Sequence, residues 1–382
     1  MPPKLKKILP VEKQEKPEKS EKLKKLGEGS FGCVVSRPLQ CSGVETIISS
    51  KADMDKKQVS KLFYEKNKYE NEVRLGKLSK KIDPSEERIL VPSFACAVTK
   101  DTLNKPANIN AISKCENLAS ISSISNLNNS ETISSFNYKN KSHYMPQKVW
   151  QLVMPYGGID IDYALEKRKN QITVKSLAKM ILPIFEAVIL LNNKREVHQD
   201  IKVENVLVYK SKAILIDFSL MLPYNKIYTP SNYNKLKRKY KPYPPEYYLA
   251  SLMIKHAEDF KKFKSEEIKA YFIEHYKNHL ERIQSFFYPY YTLNQLIEES
   301  NYGSLLIELK NNYKILEQYV DKIDIYSVGT LLSDISSFIN HPLANVEFVK
   351  LMKGILHPDP RQRMSSQEAL TLCRHIAGIA NK

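Results

Sequence analysis

Two carboxylates, an amide and an ammonium stand close together in this chain. They are Asp200, Lys202 and Asn205 in His198-Gln199-Asp200-Ile201-Lys202-Val203-Glu204-Asn205-Val206-Leu207, and Asp217 in Asp217-Phe218-Ser219. Any one of them alone reads as a satisfied polar loop residue. The set, in this order at the ends of short apolar runs, reads as a site. A second pattern gives that site a chemistry. Leu26 to Val35 runs L-G-E-G-S-F-G-C-V-V, a G-x-G-x-x-G triplet at Gly27, Gly29 and Gly32. A dinucleotide fingerprint needs a helix directly after such glycines. Here Cys33-Val34-Val35 follows, which is strand-forming. The glycines therefore predict a strand-turn-strand flap, whose bare backbone lets N–H groups approach phosphate oxygens. Phe31, beside Ser30 at the tip, shields the site from water.

Elements must hold these groups in place. A charged stretch from Lys51 to Lys57 leads into Val59-Ser60-Lys61-Leu62-Phe63, a run of strand formers. Tyr69, Val73 and Leu78 recur at near-helical spacing through Glu72, and Asp83-Pro84 ends that helix. Ile89 to Val98 reads as a strand. Residues 99–147 are rich in Ser and Asn and read as a flexible insertion. Trp150 to Met154 is a buried strand, and Pro155-Tyr156-Gly157-Gly158 a turn or hinge. Residues 174–194 form a central helix with apolar residues on several faces. Val206 to Val208 and Ala213 to Ile216 are short strands around Lys210-Ser211-Lys212. Beyond Tyr247 the chain is mostly helical, and there is no internal repeat.

The 382 residues suit two lobes or domains, and 42% hydrophobic with 26% charged residues allows a sizeable core. That excludes collagen-like, mainly disordered and membrane-spanning classes. The longest apolar stretch, Met180 to Leu191, is broken by Pro183 and Glu186 and is too short to span a bilayer. A net charge of +17 favours polyanionic partners: nucleic acid, an anionic surface, nucleotide phosphates or acidic proteins. Residues 1–25 are Lys/Glu-rich without an apolar run. They read as a disordered basic tail for acidic or nucleic-acid-associated partners, not as a signal peptide. The five cysteines lie far apart with no C-x-x-C pair. Neither a disulfide framework nor a zinc site is expected, and a reducing, cytoplasmic setting follows.

Taken together, these motifs resemble the eukaryotic-type Ser/Thr protein kinases. The resemblance runs from Gly27 to Arg363: glycine loop, strand lysine, helix glutamate, catalytic loop, D-F-G, A-P-E at Pro244-Pro245-Glu246, the D-x-W-S-x-G helix at Asp324 to Gly329, and Arg363. Its details are similar to divergent kinases of large cytoplasmic DNA viruses, which implies host cytoplasm or virion as the location. The family implies an α+β, bilobal fold with a small, mainly antiparallel β N-lobe carrying helix C and a larger, mainly helical C-lobe. The N-lobe and hinge would span 26–157, with the insertion at 99–147. The C-lobe would span 158–382, with a helical insertion at about 250–318.

The resemblance also implies ATP, Mg²⁺ and protein substrates with Ser/Thr acceptors. Asp200 accepts or orients the acceptor hydroxyl, Lys202 steadies the γ-phosphate, and Asn205 and Asp217 hold Mg²⁺. A lysine two residues after the catalytic Asp favours Ser/Thr over Tyr acceptors. Gly27, Gly29, Ser30, Phe31, Gly32 and Val34 cover the nucleotide. Met154, Tyr156 and Gly157 meet the adenine at the hinge. The strand lysine is Lys61 or Lys51. Lys61 is preferred because Val59, two residues earlier on the same strand face, would roof the adenine. Either lysine would bind α/β-phosphates and pair with Glu72. Three departures bear on regulation: Gln199 replaces the arginine before Asp200, Ser219 replaces the D-F-G glycine, and the chain after Glu246 is long. They leave a pseudokinase or scaffold as the alternative to an active enzyme.

Overall fold

The structure is a computed structural model that describes residues 22–29, 32–49, 57–103, 105–115, 134–138, 141–145, 148–168, 171–232, 236, 240, 242–256, 258, 262, 264, 267, 308–309 and 312–380. Of the expected site residues, Ser30, Phe31 and Lys51 lie outside these, as do the tail over residues 1–21 and most of the insertion at about 250–318.

The first strands are β1 (Lys25–Gly29), β2 (Gly32–Val35), β3 (Cys41–Ile47), β4 (Gln58–Phe63) and β5 (Phe94–Thr99). Next come β6 (Ser134–Tyr138) and β7 (Lys141–Met145), a hairpin of their own, and β8 (Lys148–Pro155). Six of these form one antiparallel sheet in the order β1-β2-β4-β8-β5-β3. Gly29 pairs with Gly32 across the flap, so the glycines do sit at a strand-to-strand junction. Alternation along β4 places Val59, Lys61 and Phe63 on one face and Ser60 and Leu62 on the other. Helix α1 (Lys66–Ile82) covers the first face, with Tyr69 and Val73 against buried Phe63, Ala95 and Leu152.

The helix stops at Asp83, whose carboxylate accepts the N–H groups of Arg88 (2.8 Å) and Ile89 (3.1 Å). The strand expected from Ile89 begins only at Phe94. Leu90 donates to Leu215, whereas Ser93 donates to Val153, so the chain changes partners around Pro92, which has no N–H.

The front of the segment expected to be a flexible insertion folds instead. Short helices α2 (Lys100–Leu103) and α3 (Pro106–Ile112) place Leu103, Ala111, Ile112 and Cys115 in a buried cluster with Cys33, Val35 and Leu62. The few apolar residues here are aimed at one surface, which the low apolar density of the whole segment hides. The expectation about cysteines is also overturned. Disulfides join Cys33 to Cys115 and Cys41 to Cys96, with Cα atoms 5.7 Å apart in each. Partners 82 and 55 residues apart look unrelated in sequence; antiparallel pairing of β3 with β5 and packing of α3 under β2 bring them together. The ground for a reducing compartment falls with them.

The rest is mainly helical. After β9 (Ile159–Asp160) and α4 (Ile161–Glu166) comes α5 (Val174–Asn193), opened by a reciprocal Thr173–Ser176 cap and buried along Leu177, Ile181, Phe185, Val188 and Leu191. Strands β10 (Glu196–Val197), β11 (Val206–Tyr209), β12 (Lys212–Leu215) and β13 (Leu222–Pro223) follow. The β11–β12 turn puts Lys210 and Ser211 at φ 48° and 66°, the twist a two-residue hairpin needs. Helices α6 (Pro245–Lys255), α7 (Ile323–Ile335), α8 (Val346–Ile355) and α9 (Ser366–Ala377) complete the core, with α9 packed along α5. An antiparallel sheet with one long helix followed by a mainly helical half is compatible with a bilobal kinase fold.

Candidate active site

The loop after α5 is held by its backbone. His198 and Gln199 donate their N–H groups to the two oxygens of Asp324, at 2.7 and 3.0 Å. Gln199 takes a left-handed φ of 65° so that both can point the same way. Asp324 sits in the first turn of α7, fully buried. Burial pushes its pKa up to about 6, against the pull of the two N–H donors. This clamp delivers Asp200, 5% exposed, to the floor of a cleft. Asn205 donates to both the backbone oxygen and Oδ2 of Asp200, each at 2.8 Å. Lys202 Nζ lies 3.2 Å from Asp200 Oδ1.

Asp217 reaches the same cleft from the end of β12, with φ 61°. Ile216 beside it donates to the Asn205 carbonyl (3.0 Å), fastening the Asn205 and Asp217 segments together. Phe218 packs edge-on against His198, centroids 4.7 Å apart. Burial lowers the His198 pKa, keeping the ring neutral. Burial alone would raise the Asp217 carboxyl, but the Lys61 ammonium and the Ser219 N–H outweigh it and hold it below its ordinary value.

The sheet supplies the opposite wall. Lys61 Nζ meets Glu72 Oε1 at 2.8 Å, β4 to α1, with both side chains largely buried. Burial works against the charged ammonium, yet Glu72 and then Asp217 raise its pKa above the usual lysine value. The cleft between the walls encloses about 1130 Å³. Gly27, Gly32, Val34 and Val59 line it from the sheet side, and Met154, Tyr156 and Gly157 from the segment joining the halves. A Cβ on Gly32 would stand 2.6 Å from the Leu62 carbonyl, and one on Gly158, at φ 106°, 2.0 Å from that of Val208. The two backbones approach where only glycine fits. Gly29 lies at the end of β1, paired with Gly32.

Two lining residues escape a motif search. Leu207 forms part of the floor, signalled only by its place just after Asn205. Tyr240 donates its hydroxyl to Asp200 Oδ1 and accepts from Lys202 Nζ at 2.6 Å. Its only signal is the recurrence of Tyr240, Tyr243 and Tyr247 around Pro244-Pro245-Glu246. Behind the site, Arg363 forms a two-pronged, fully buried pair with Glu246 at 2.6 and 2.8 Å. Gln199 donates to the Leu220 carbonyl (2.7 Å) and accepts from Tyr247 (3.3 Å).

Asn205 spends its amide N–H₂ on Asp200, which leaves its side-chain oxygen as an acceptor toward the cleft, and Asp217, held below its ordinary carboxyl pKa, lines the same cleft. That donor set fits a magnesium ion that takes its remaining oxygens from phosphates. Among the described residues, no group of three or more His, Cys, Asp or Glu side chains is placed to hold a metal by itself.

Residues 102–261 match the family model described as protein tyrosine and serine/threonine kinase. The match supports a protein kinase, and phosphoryl transfer in general. It takes in Asp200, Asn205, Asp217 and Glu246, but neither the glycine flap nor Lys61. No curated protein matches the chain. Nothing in these comparisons supports the narrower likeness to viral kinases. No helix among the described residues is long and apolar enough to cross a membrane.

Proposed function

We propose that this chain transfers the γ-phosphoryl group of ATP to Ser or Thr hydroxyls of protein substrates. One observation carries the reading: the Lys61–Glu72 pair and the Asp200, Asn205 and Asp217 oxygens face a single cleft whose rim is the glycine flap. Phosphoryl transfer asks for positioning and charge neutralisation more than for covalent help. Asp200 would accept the proton of the attacking hydroxyl. Lys202 would meet the charge on the transferred group, and Lys61 the α/β-phosphates. Val34, Val59 and Leu207 would sandwich the base, with Met154 to Gly157 along its edge. Magnesium, when bound by Asn205 and Asp217, would neutralise phosphate charge. The Ser/Thr preference rests on Lys202, and the +17 chain favours acidic substrates.

The test is transfer of radiolabelled phosphate from Mg-ATP to dephosphorylated casein. Incorporation by wild type and its loss in Asp200→Asn supports the proposal. Nucleotide binding without any transfer would instead make the protein a scaffold.

A further inference from the structure

Among the described residues, one side chain stands where the proposed reaction needs the substrate to be. We infer that Tyr240 is an intramolecular competitor for the acceptor site: its hydroxyl takes the place of the substrate hydroxyl on Asp200, and a protein substrate must displace it. The inference rests on the kinase reading above.

The geometry is specific. An acceptor hydroxyl must donate to Asp200 and lie beside Lys202, and the Tyr240 hydroxyl does both, giving its proton to Oδ1 and taking one from Nζ. The Lys202 ammonium also lies 5.3 Å from the centre of the Tyr240 ring. The ring is braced from behind by Tyr243 (5.0 Å), which leans on Tyr247 (4.8 Å), which in turn meets Tyr228 (5.7 Å). This aromatic file runs from the floor of the cleft into the buried base of α6, so the phenol is held rather than loosely placed. Burial, then the bond to Asp200, pushes its pKa far above the ordinary phenol value, so at neutral pH it remains a donor. Meanwhile Lys61 and Glu72 are already paired and the cleft is open on the nucleotide side. The phosphate-binding half is assembled while the acceptor half is taken.

Tyr240→Phe keeps the ring and its packing but removes both hydrogen bonds. The KM for dephosphorylated casein should fall at least about tenfold, the worth of one hydrogen bond to a charged group. The KM for ATP should stay unchanged, and kcat should not fall. A drop in kcat at constant casein KM would overturn the inference, because the hydroxyl would then be positioning Asp200. Phosphate on Tyr240 after incubation with Mg-ATP, read by mass spectrometry, would also overturn it, since the residue would be an acceptor and not a competitor. Two measurements need no turnover. Tyr240→Phe should bind labelled casein more tightly than wild type. In wild type, Tyr240 should be protected from acetylation by N-acetylimidazole until saturating casein is added; protection that persists with casein bound counts against displacement. A wild type that transfers no phosphate sinks the kinase reading, while the binding and acetylation results still decide whether Tyr240 competes.

Discussion

Three polar side chains converge on the Asp200 carboxylate, Asn205, Lys202 and Tyr240, and the proposed transfer makes it the proton acceptor. Replacing it with Asn keeps the shape and removes the proton acceptor. Asp200→Asn should therefore lower transfer to casein by ~10²–10⁴-fold, the usual worth of a general base. Thermal stabilisation by Mg-ATP should survive, because Asp200 faces the acceptor and not the nucleotide; near-wild-type turnover would remove Asp200 from this role. His198, next but one to it, makes a different prediction. Its folded pKa lies below the unfolded value, so it takes up a proton on unfolding. Its contribution to stability is full above about pH 6.5 and is lost as pH falls below that, by at most ~1.4 kcal/mol per pH unit. Melting curves from pH 7.5 to 5.5 should fall less steeply for His198→Asn than for wild type, and parallel slopes would count against a buried neutral ring.

Strands and loops decide which lysine pairs with Glu72 and how the segment after Asp217 is held. Lys61 is on β4 facing Glu72, so Lys61→Met should abolish transfer while Lys51→Met retains it. The reverse result would move the nucleotide-binding strand ten residues up the chain. Gln199 links the segment after Asp217 and α6 to the loop that carries Asp200, through Leu220 and Tyr247, without using a charge. Thr229 and Ser231 already bond to each other at 3.0 Å. Phosphatase-treated enzyme with both bare by mass spectrometry should therefore keep its initial rate within about tenfold. A larger fall, reproduced by Thr229→Ala or Ser231→Ala, would show that a phosphate is needed after all. The elements around Asp200 were legible because each is short, regular and bounded by turn residues. Asp83-Pro84 marks a helix end, and Lys210-Ser211 a hairpin. Tyr240 was not, since nothing local distinguishes a tyrosine that reaches a carboxylate forty positions earlier from one that faces solvent. The start of β5 was misplaced for a related reason: residues 89–93 have strand-like composition, but their partners change midway.

At the scale of the molecule, long-range pairs hold the halves in shape. Glu246 and Arg363 are fully buried against each other, so Arg363→Met leaves a carboxylate uncompensated and should cost about 3–5 kcal/mol in unfolding free energy. Denaturant unfolding measures this, and a loss below 1 kcal/mol would mean that the pair is dispensable. The disulfides reach further. In the chain-entropy account, loops of this length are worth about 4 kcal/mol each, and each tie has one end beside the flap or its supporting strands. Cys33 directly follows Gly32, the last glycine of the flap, and is joined to Cys115 beyond α3. The glycine flap and the front of the inserted segment are thus tied to each other covalently. On the kinase reading proposed above, this tether couples the flap to the inserted segment, and ADP release should quicken or slow when a thiol reductant opens the Cys33–Cys115 bond.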